Sequence, residues 1–276
     1  MTTERKNRLG KLAKMLVATG ALSLGAINAN AQDSVELEDG RSESKVSEVV
    51  PESSLLPFSG YLSTGFHSKY RVSGGAVLDD TPVNQTYLGL SFPDVLIKGD
   101  SITPYVWSNT SLERGTVSEF DVGTNYSFPI FKNFLGGSLG GSLEGALWDY
   151  PDGTLGEYDI GLIGRLNYSN QELIDLELKG TQLFTNGFGR AYVLTASKPI
   201  KIGNIGDTTL TLTPKTSVAF QDDMYGINGF SAVQYGASLR ASRGRLNTEV
   251  YVTQQEPLMD GYESGPAFGI SFGIGF

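Results

Sequence analysis

The chain closes with Phe268-Gly-Ile-Ser-Phe-Gly-Ile-Gly-Phe276, and the reading of this stretch decides the fold. As a strand it puts Phe268, Ile270, Phe272, Ile274 and Phe276 on one face and Gly269, Ser271, Gly273 and Gly275 on the other, because successive strand side chains point to opposite sides. A strand of a soluble antiparallel sheet would show charge on its wet face. Here that face is nearly bare, and the apolar stripe runs to the final residue.

The same period of two reads upstream to residue 58. Segment 60–72 sets Leu62, Thr64, Phe66, Tyr70 and Val72 against Tyr61, Ser63, Gly65, His67, Lys69 and Arg71. The apolar sets continue as Leu88, Leu90, Phe92 in 85–92, Phe120, Val122, Tyr126, Phe128 in 120–128, and Leu139, Leu143, Leu147 in 139–148. Then come Ile160, Leu162, Leu166 in 158–168, Ile174, Leu176, Leu178 in 174–184, and Leu210, Leu212, Val218, Phe220 in 209–220. Val233, Tyr235, Leu239 in 233–242 and Leu246, Val250, Val252 in 246–254 complete the series. Segments 102–112 and 190–198 are extended but alternate poorly. With 268–276 this gives twelve strands, an even number, at about 18 residues per strand and connection, which suits ~9–11-residue strands tilted across a bilayer. The predicted fold class is all-β, a closed antiparallel up-and-down transmembrane β-barrel.

Charge placement points the same way. Lys69, Arg71, Asp121, Glu144, Asp159, Arg165, Asp175, Glu177, Lys179, Lys215, Arg240 and Glu249 all fall opposite the apolar stripes, and with His67 they are expected to face the lumen. Arg or Lys on the lipid face near the midplane would cost about 2–4 kcal/mol. Arg190 and Lys198 share parity with Tyr192 and Leu194, but at strand ends, where a long side chain reaches the interface.

The N-terminus gives the compartment. Arg5, Lys6, Arg8, Lys11 and Lys14 precede a 13-residue apolar stretch from Met15 to Ile27, followed by Ala29-Asn30-Ala31. Basic region, short apolar core and A-x-A site make 1–31 a secretory signal peptide. Its removal takes five bases and one acid and moves the net charge from −9 to −13. Residues 32–57, rich in Glu and Ser and free of aromatics, read as an acidic flexible periplasmic linker, and 58–276 as the barrel.

An even strand count places both barrel ends on the periplasmic side. The outer loops are then 73–84, 113–117, 151–157, 185–189, 221–229 and 255–265. They carry Asp79, Asp80, Asp222, Asp223 and six further acids against one base, Arg114, a rim that would concentrate cations.

The terminal stripe resembles that of Gram-negative outer-membrane β-barrel proteins, in which a final aromatic with apolar residues at every second position is the assembly signal. The resemblance implies that Phe268, Ile270, Phe272, Ile274 and Phe276 are read by the barrel-assembly machinery. The opening Gly65-Phe-His-Ser-Lys-Tyr-Arg-Val-Ser-Gly74, followed by Tyr87-Leu-Gly-Leu-Ser-Phe92, is similar to the first hairpin of the TorF-like porins. In that family Gly follows soon after the aromatic–Arg pair, whereas here Val72 and Ser73 intervene.

Much chemistry is excluded. The chain has no cysteine and one histidine, and its acidity argues against a nucleic-acid partner. A hydrolase needs a base beside its nucleophile. On its strand face His67 has only Gly65 and Lys69, with Ser68 opposite, so no catalytic residue, metal or cofactor is expected. Gly136-Gly-Ser-Leu-Gly-Gly141 reads as a turn entering a strand, since it lacks a phosphate-loop Lys. Tyr and Phe near strand ends read as interface girdles. Twelve strands lie between the filled 8-strand and the open 16-strand barrel, which suits a narrow pore for small solutes or ions. The alternative is a structural or adhesive barrel whose lumen is closed by salt bridges, such as Lys69 or Arg71 with neighbouring acids; a barrel hydrolase ranks below both.

Overall fold

The computed structural model describes residues 58–71, 77–153, 156–170, 172–185, 188–224, 226–260 and 262–276. The segments expected to be a signal peptide (1–31) and a linker (32–57) lie outside the described residues. The strands are β1 (Ser59–His67), β2 (Tyr70–Arg71), β3 (Val77–Asp79), β4 (Val83–Pro93), β5 (Ser101–Ser111), β6 (Thr116–Phe134), β7 (Gly137–Asp149) and β8 (Tyr158–Ser169). They continue with β9 (Asp175–Leu183), β10 (Gly189–Ser197), β11 (Ile200–Ile205), β12 (Thr208–Met224), β13 (Ile227–Arg243), β14 (Leu246–Pro257) and β15 (Gly265–Gly275).

Twelve of these make the wall, in the order β1-β4-β5-β6-β7-β8-β9-β10-β12-β13-β14-β15 and back to β1, every pair antiparallel. The closing seam pairs Tyr61 with Gly275, Thr64 with Phe272 and His67 with Gly269. Closure leaves no edge whose N–H and C=O groups would go unpaired in lipid. After Lys198 and Pro199, β11 extends the wall below β10 against β12.

The faces are inverted relative to a water-soluble protein. Asp159, Asn109, Gln221 and Gln255 are fully buried, while Leu62, Phe66, Ile160, Leu166 and Phe268 look outward at 41–62 % exposure. Large apolar side chains normally gain about 1.5–3 kcal/mol each by leaving water. An outward apolar band around a polar interior is what hydrocarbon surroundings favour.

Three expectations change. The first strand stops at His67 rather than running to 72. There Ser68 Oγ accepts the Phe268 N–H at 3.0 Å, so a side chain replaces the next backbone acceptor. Lys69 and Arg71 therefore leave the wall, and Tyr70, expected on the lipid side, turns inward on the short β2–β3 hairpin. Second, β6 and β7 run past 128 and 139 to a tight turn at Leu135 and Gly136, both with positive φ (50° and 80°), the geometry of a two-residue hairpin turn. Third, the outer loop expected at 221–229 is mostly strand, because β12 and β13 stay paired up to Met224 and Ile227.

Candidate functional site

The bare face of β15 has a purpose inside the barrel. His67 and Tyr251 occupy the space beside Gly269, and Tyr61 lies against Gly273 so closely that a Cβ there would collide with its hydroxyl. The His67 and Tyr251 rings stack at 5.6 Å, with His67 Nδ1 2.8 Å from the Tyr251 hydroxyl. From Tyr61 a row of rings crosses the inner wall, Tyr61 to Tyr87 at 6.3 Å and Tyr87 to Tyr105 at 5.6 Å.

The row ends in charge. Tyr105 reaches across Gly123 of β6, where a Cβ would come within 2.5 Å of its hydroxyl. That hydroxyl donates to Glu144 Oε1 at 2.5 Å, and Arg165 Nη1 donates to Glu144 Oε2 at 2.7 Å. Arg165 stands directly opposite Lys179 in the β8–β9 register, a like-charge pair that Glu144 offsets. Nearby, Glu119 and Asp121 lie two residues apart on β6, 3 % and 7 % exposed, and Tyr70 hydrogen-bonds Glu119. Tyr70 also rests on Trp107 at 5.4 Å. These groups surround a lumenal cavity of about 280 Å³.

Of the predicted lumen residues, Asp121, Glu144, Arg165 and Lys179 are brought together in this cavity. Lys179 also interacts with the charges of Glu177 and Lys215. Asp159 is fully buried and accepts from Thr185 Oγ1 at 2.7 Å. Arg240 and Glu249 are cross-strand partners with an ion pair of 3.1 Å. Asp175 caps the turn before β9, accepting from Ser169 Oγ at 2.8 Å and Asn170 N at 3.0 Å. Lys69 and Arg71 are corrected to the mouth: Lys69 pairs with Glu263 at 3.3 Å and Arg71 Nη2 donates to Gly265 O at 2.9 Å.

The acidic rim is also revised. Asp79 is not solvated; it is 3 % exposed, accepts from Thr81 at 2.8 Å and from Arg114 Nη2 at 2.7 Å. Arg114 Nη1 reaches Asp152 at 3.1 Å, so one guanidinium ties the first-loop hairpin to the 150–157 connection. The Asp79 hydrogen bond and charge, followed by the Asp152 charge, outweigh desolvation and hold the Arg114 pKa above its ordinary value. Asp80 is exposed. Asp222 pairs with Arg190 at 3.4 Å, and Asp223 adopts φ 58° at the hairpin tip with its N–H donating to Asn228 Oδ1. Phe268, Phe272, Ile274 and Phe276 lie on the outward face at 42–62 % exposure, and Ile270 shares their parity.

Tyr126 and Tyr168 lie near strand ends, where their hydroxyls donate to Asp100 and to Leu135 O beside the 94–100 and 135–136 turns. Tyr61 and Tyr87 face inward. Their position on the Gly- and Ser-bearing side of the alternation was the available signal. Glu119 was missed because it lies one residue before the segment boundary at 120, and Trp107 because 102–112 alternates poorly.

No protein-family model matches the chain, and no curated protein matches it in sequence. Among solved structures it is similar to the COG4313 outer membrane channel from Pseudomonas putida F1, with TM-score 0.49 and 11 % identity over 79 % of this chain and 95 % of that one. LpxR from Salmonella typhimurium gives 0.47 and 7 % over 78 % and 99 %, and the KdgM porin 0.42 and 10 % over 78 % and 99 %. The barrel assignment rests on this chain's own strand pairings.

Proposed function

We propose that the protein is an outer-membrane channel for passive diffusion of small solutes or ions. The observation that carries this reading is a polar lumen with unfilled space: a 280 Å³ cavity among charged and aromatic groups, inside a wall whose outer face is apolar. The signal peptide and terminal stripe supply the route, with export followed by insertion through the barrel-assembly machinery into lipid. The TorF-like resemblance of the first hairpin agrees with a porin. An enzyme reading has less support, since the single His67 is engaged with Tyr251 and not with a carboxylate.

A second reading, a structural or adhesive barrel, is favoured by the contacts across the mouth. The Arg114 clamp, the Lys69–Glu263 pair and the Tyr70–Trp107 contact tie connecting segments together at one end of the barrel. Single-channel recording in a planar bilayer separates the two. Discrete ohmic steps from folded protein support the channel, and their absence assigns the barrel to structure or adhesion.

A further inference from the structure

We infer that the lumen contains a subsite for an organic cation, a primary ammonium group seated against Glu119 and Asp121 and walled by Tyr70 and Trp107. This deepens the channel reading by naming a solute class, and it rests on that reading only for how the solute arrives.

The acid pair is bonded to itself and to Tyr70, with no base among the groups that act on it. One oxygen of each carboxyl, Glu119 Oε2 and Asp121 Oδ1, is buried without a hydrogen-bond partner, although both side chains line the cavity. The charges felt by the pair are themselves acidic: Asp152, Asp159 and Glu144. The cavity's two bases are engaged elsewhere. Arg165 is bonded to Glu144, and Lys179 interacts with Arg165, Glu144, Glu177 and Lys215. Buried carboxylates need a counter-charge or a proton, and two side by side repel each other. A cation with N–H donors relieves both conditions.

The walls select the kind of cation. Tyr70 and Trp107 pack at 5.4 Å with planes tilted by 49°, and Tyr105 and Tyr150 also line the cavity. Aromatic faces attract cations, most strongly when these are desolvated. A hard metal ion wants six or more oxygen ligands. Among the described residues no group of three or more His, Cys, Asp or Glu is placed to hold a metal. An alkylammonium suits two carboxylates between rings, with its chain against the aromatic surface.

The protein carries its own reporter, because both of its tryptophans, Trp107 and Trp148, line this cavity. Full-length barrel refolded in detergent is titrated with butylammonium while tryptophan fluorescence is read, with butan-1-ol as the neutral isostere and Mg²⁺ as the metal probe. The expected result is a saturable response to butylammonium, at least tenfold weaker for butan-1-ol, and weakened at least tenfold in the Glu119→Gln/Asp121→Asn double variant. No saturable response, equal affinity for butan-1-ol, or Mg²⁺ binding tighter than butylammonium would overturn the proposal. So would unchanged affinity in the double variant. Should that variant fail to fold, the comparison with butan-1-ol decides on the unaltered protein. Binding without conductance would sink the channel reading alone, and conductance without binding the subsite alone.

Discussion

Gly60 and Phe276 exchange both backbone hydrogen bonds, N–H to O at 2.8 and 2.9 Å, and the Phe276 ring covers the space a Cβ on Gly60 would need. The last residue of the chain is thus the final rung of the seam that closes the barrel. Its aromatic ring has a seat because residue 60 has no side chain.

Deleting Phe276 removes one rung and one partly exposed ring, about 1–3 kcal/mol of burial. Refolding in detergent should survive this, with heat-modifiable gel mobility as the readout. Assembly in cells should fall much further, since the terminal stripe resembles an assembly signal. Equal outer-membrane yield with and without Phe276 would count against that role. Gly60→Val, which leaves the stripe intact but blocks the ring's seat, should instead impair closure in both settings.

Glu144 should matter more than its partner Tyr105. Tyr105→Phe removes a neutral donor, about 1–2 kcal/mol. Glu144→Gln leaves Arg165 and Lys179 facing each other with their common counter-charge gone, a loss approaching the 3–5 kcal/mol of a broken buried pair, reduced by lumen water. Urea unfolding midpoints should fall in the order wild type, Tyr105→Phe, Glu144→Gln. The reverse order would refute the bridging role of Glu144.

Asp79 and Asp80 are adjacent in sequence and should behave differently. Asp80→Asn removes an exposed rim charge and should lower cation preference at low salt only, because such fields are screened beyond ~8–10 Å at physiological ionic strength. Asp79→Asn and Arg114→Ala should both loosen the first-loop hairpin, seen as faster loop proteolysis and noisier current. Matching effects from all three substitutions would contradict the Arg114 clamp.

Asp100 gives a pH signature. Burial raises its pKa, but donors from Ile97 N at 2.8 Å, Tyr126 Oη at 2.9 Å, Leu96 N at 2.9 Å and Val95 N at 2.6 Å reverse this and leave it below the ordinary aspartate value. A carboxyl with a lowered folded-state pKa stabilises above its unfolded pKa, about 3.9, and that contribution disappears as pH falls through the folded value. Asp100→Asn should therefore destabilise the 94–100 turn at neutral pH, and the difference from wild type should shrink in acid. Hydrogen exchange of the Val95, Leu96 and Ile97 amides measures it; a pH-independent difference would disprove the charge-based account.

The sequence by itself determined the architecture. Alternation has a period of two only on strands, so Phe268 to Phe276 and the well-alternating segments before it gave the fold class and the outward face, while closure into twelve strands came from the pairing. Charge on that face is costly near the midplane, so parity also sent Asp121, Glu144, Arg165 and Lys179 to the lumen. Parity does not report neighbours around the wall. Only the tertiary structure placed Tyr105 of β5 across Gly123 onto Glu144 of β7, and brought Glu119 and Asp121 beside Tyr70 of the first-loop hairpin. It alone showed Asp79 buried on Arg114, because a loop's path depends on distant anchors: Ser68 ending the β1 ladder, Arg71 held by Gly265, Asp79 held by Arg114. Local periodicity fixes which way a side chain points; barrel closure and loop anchoring decide what it meets.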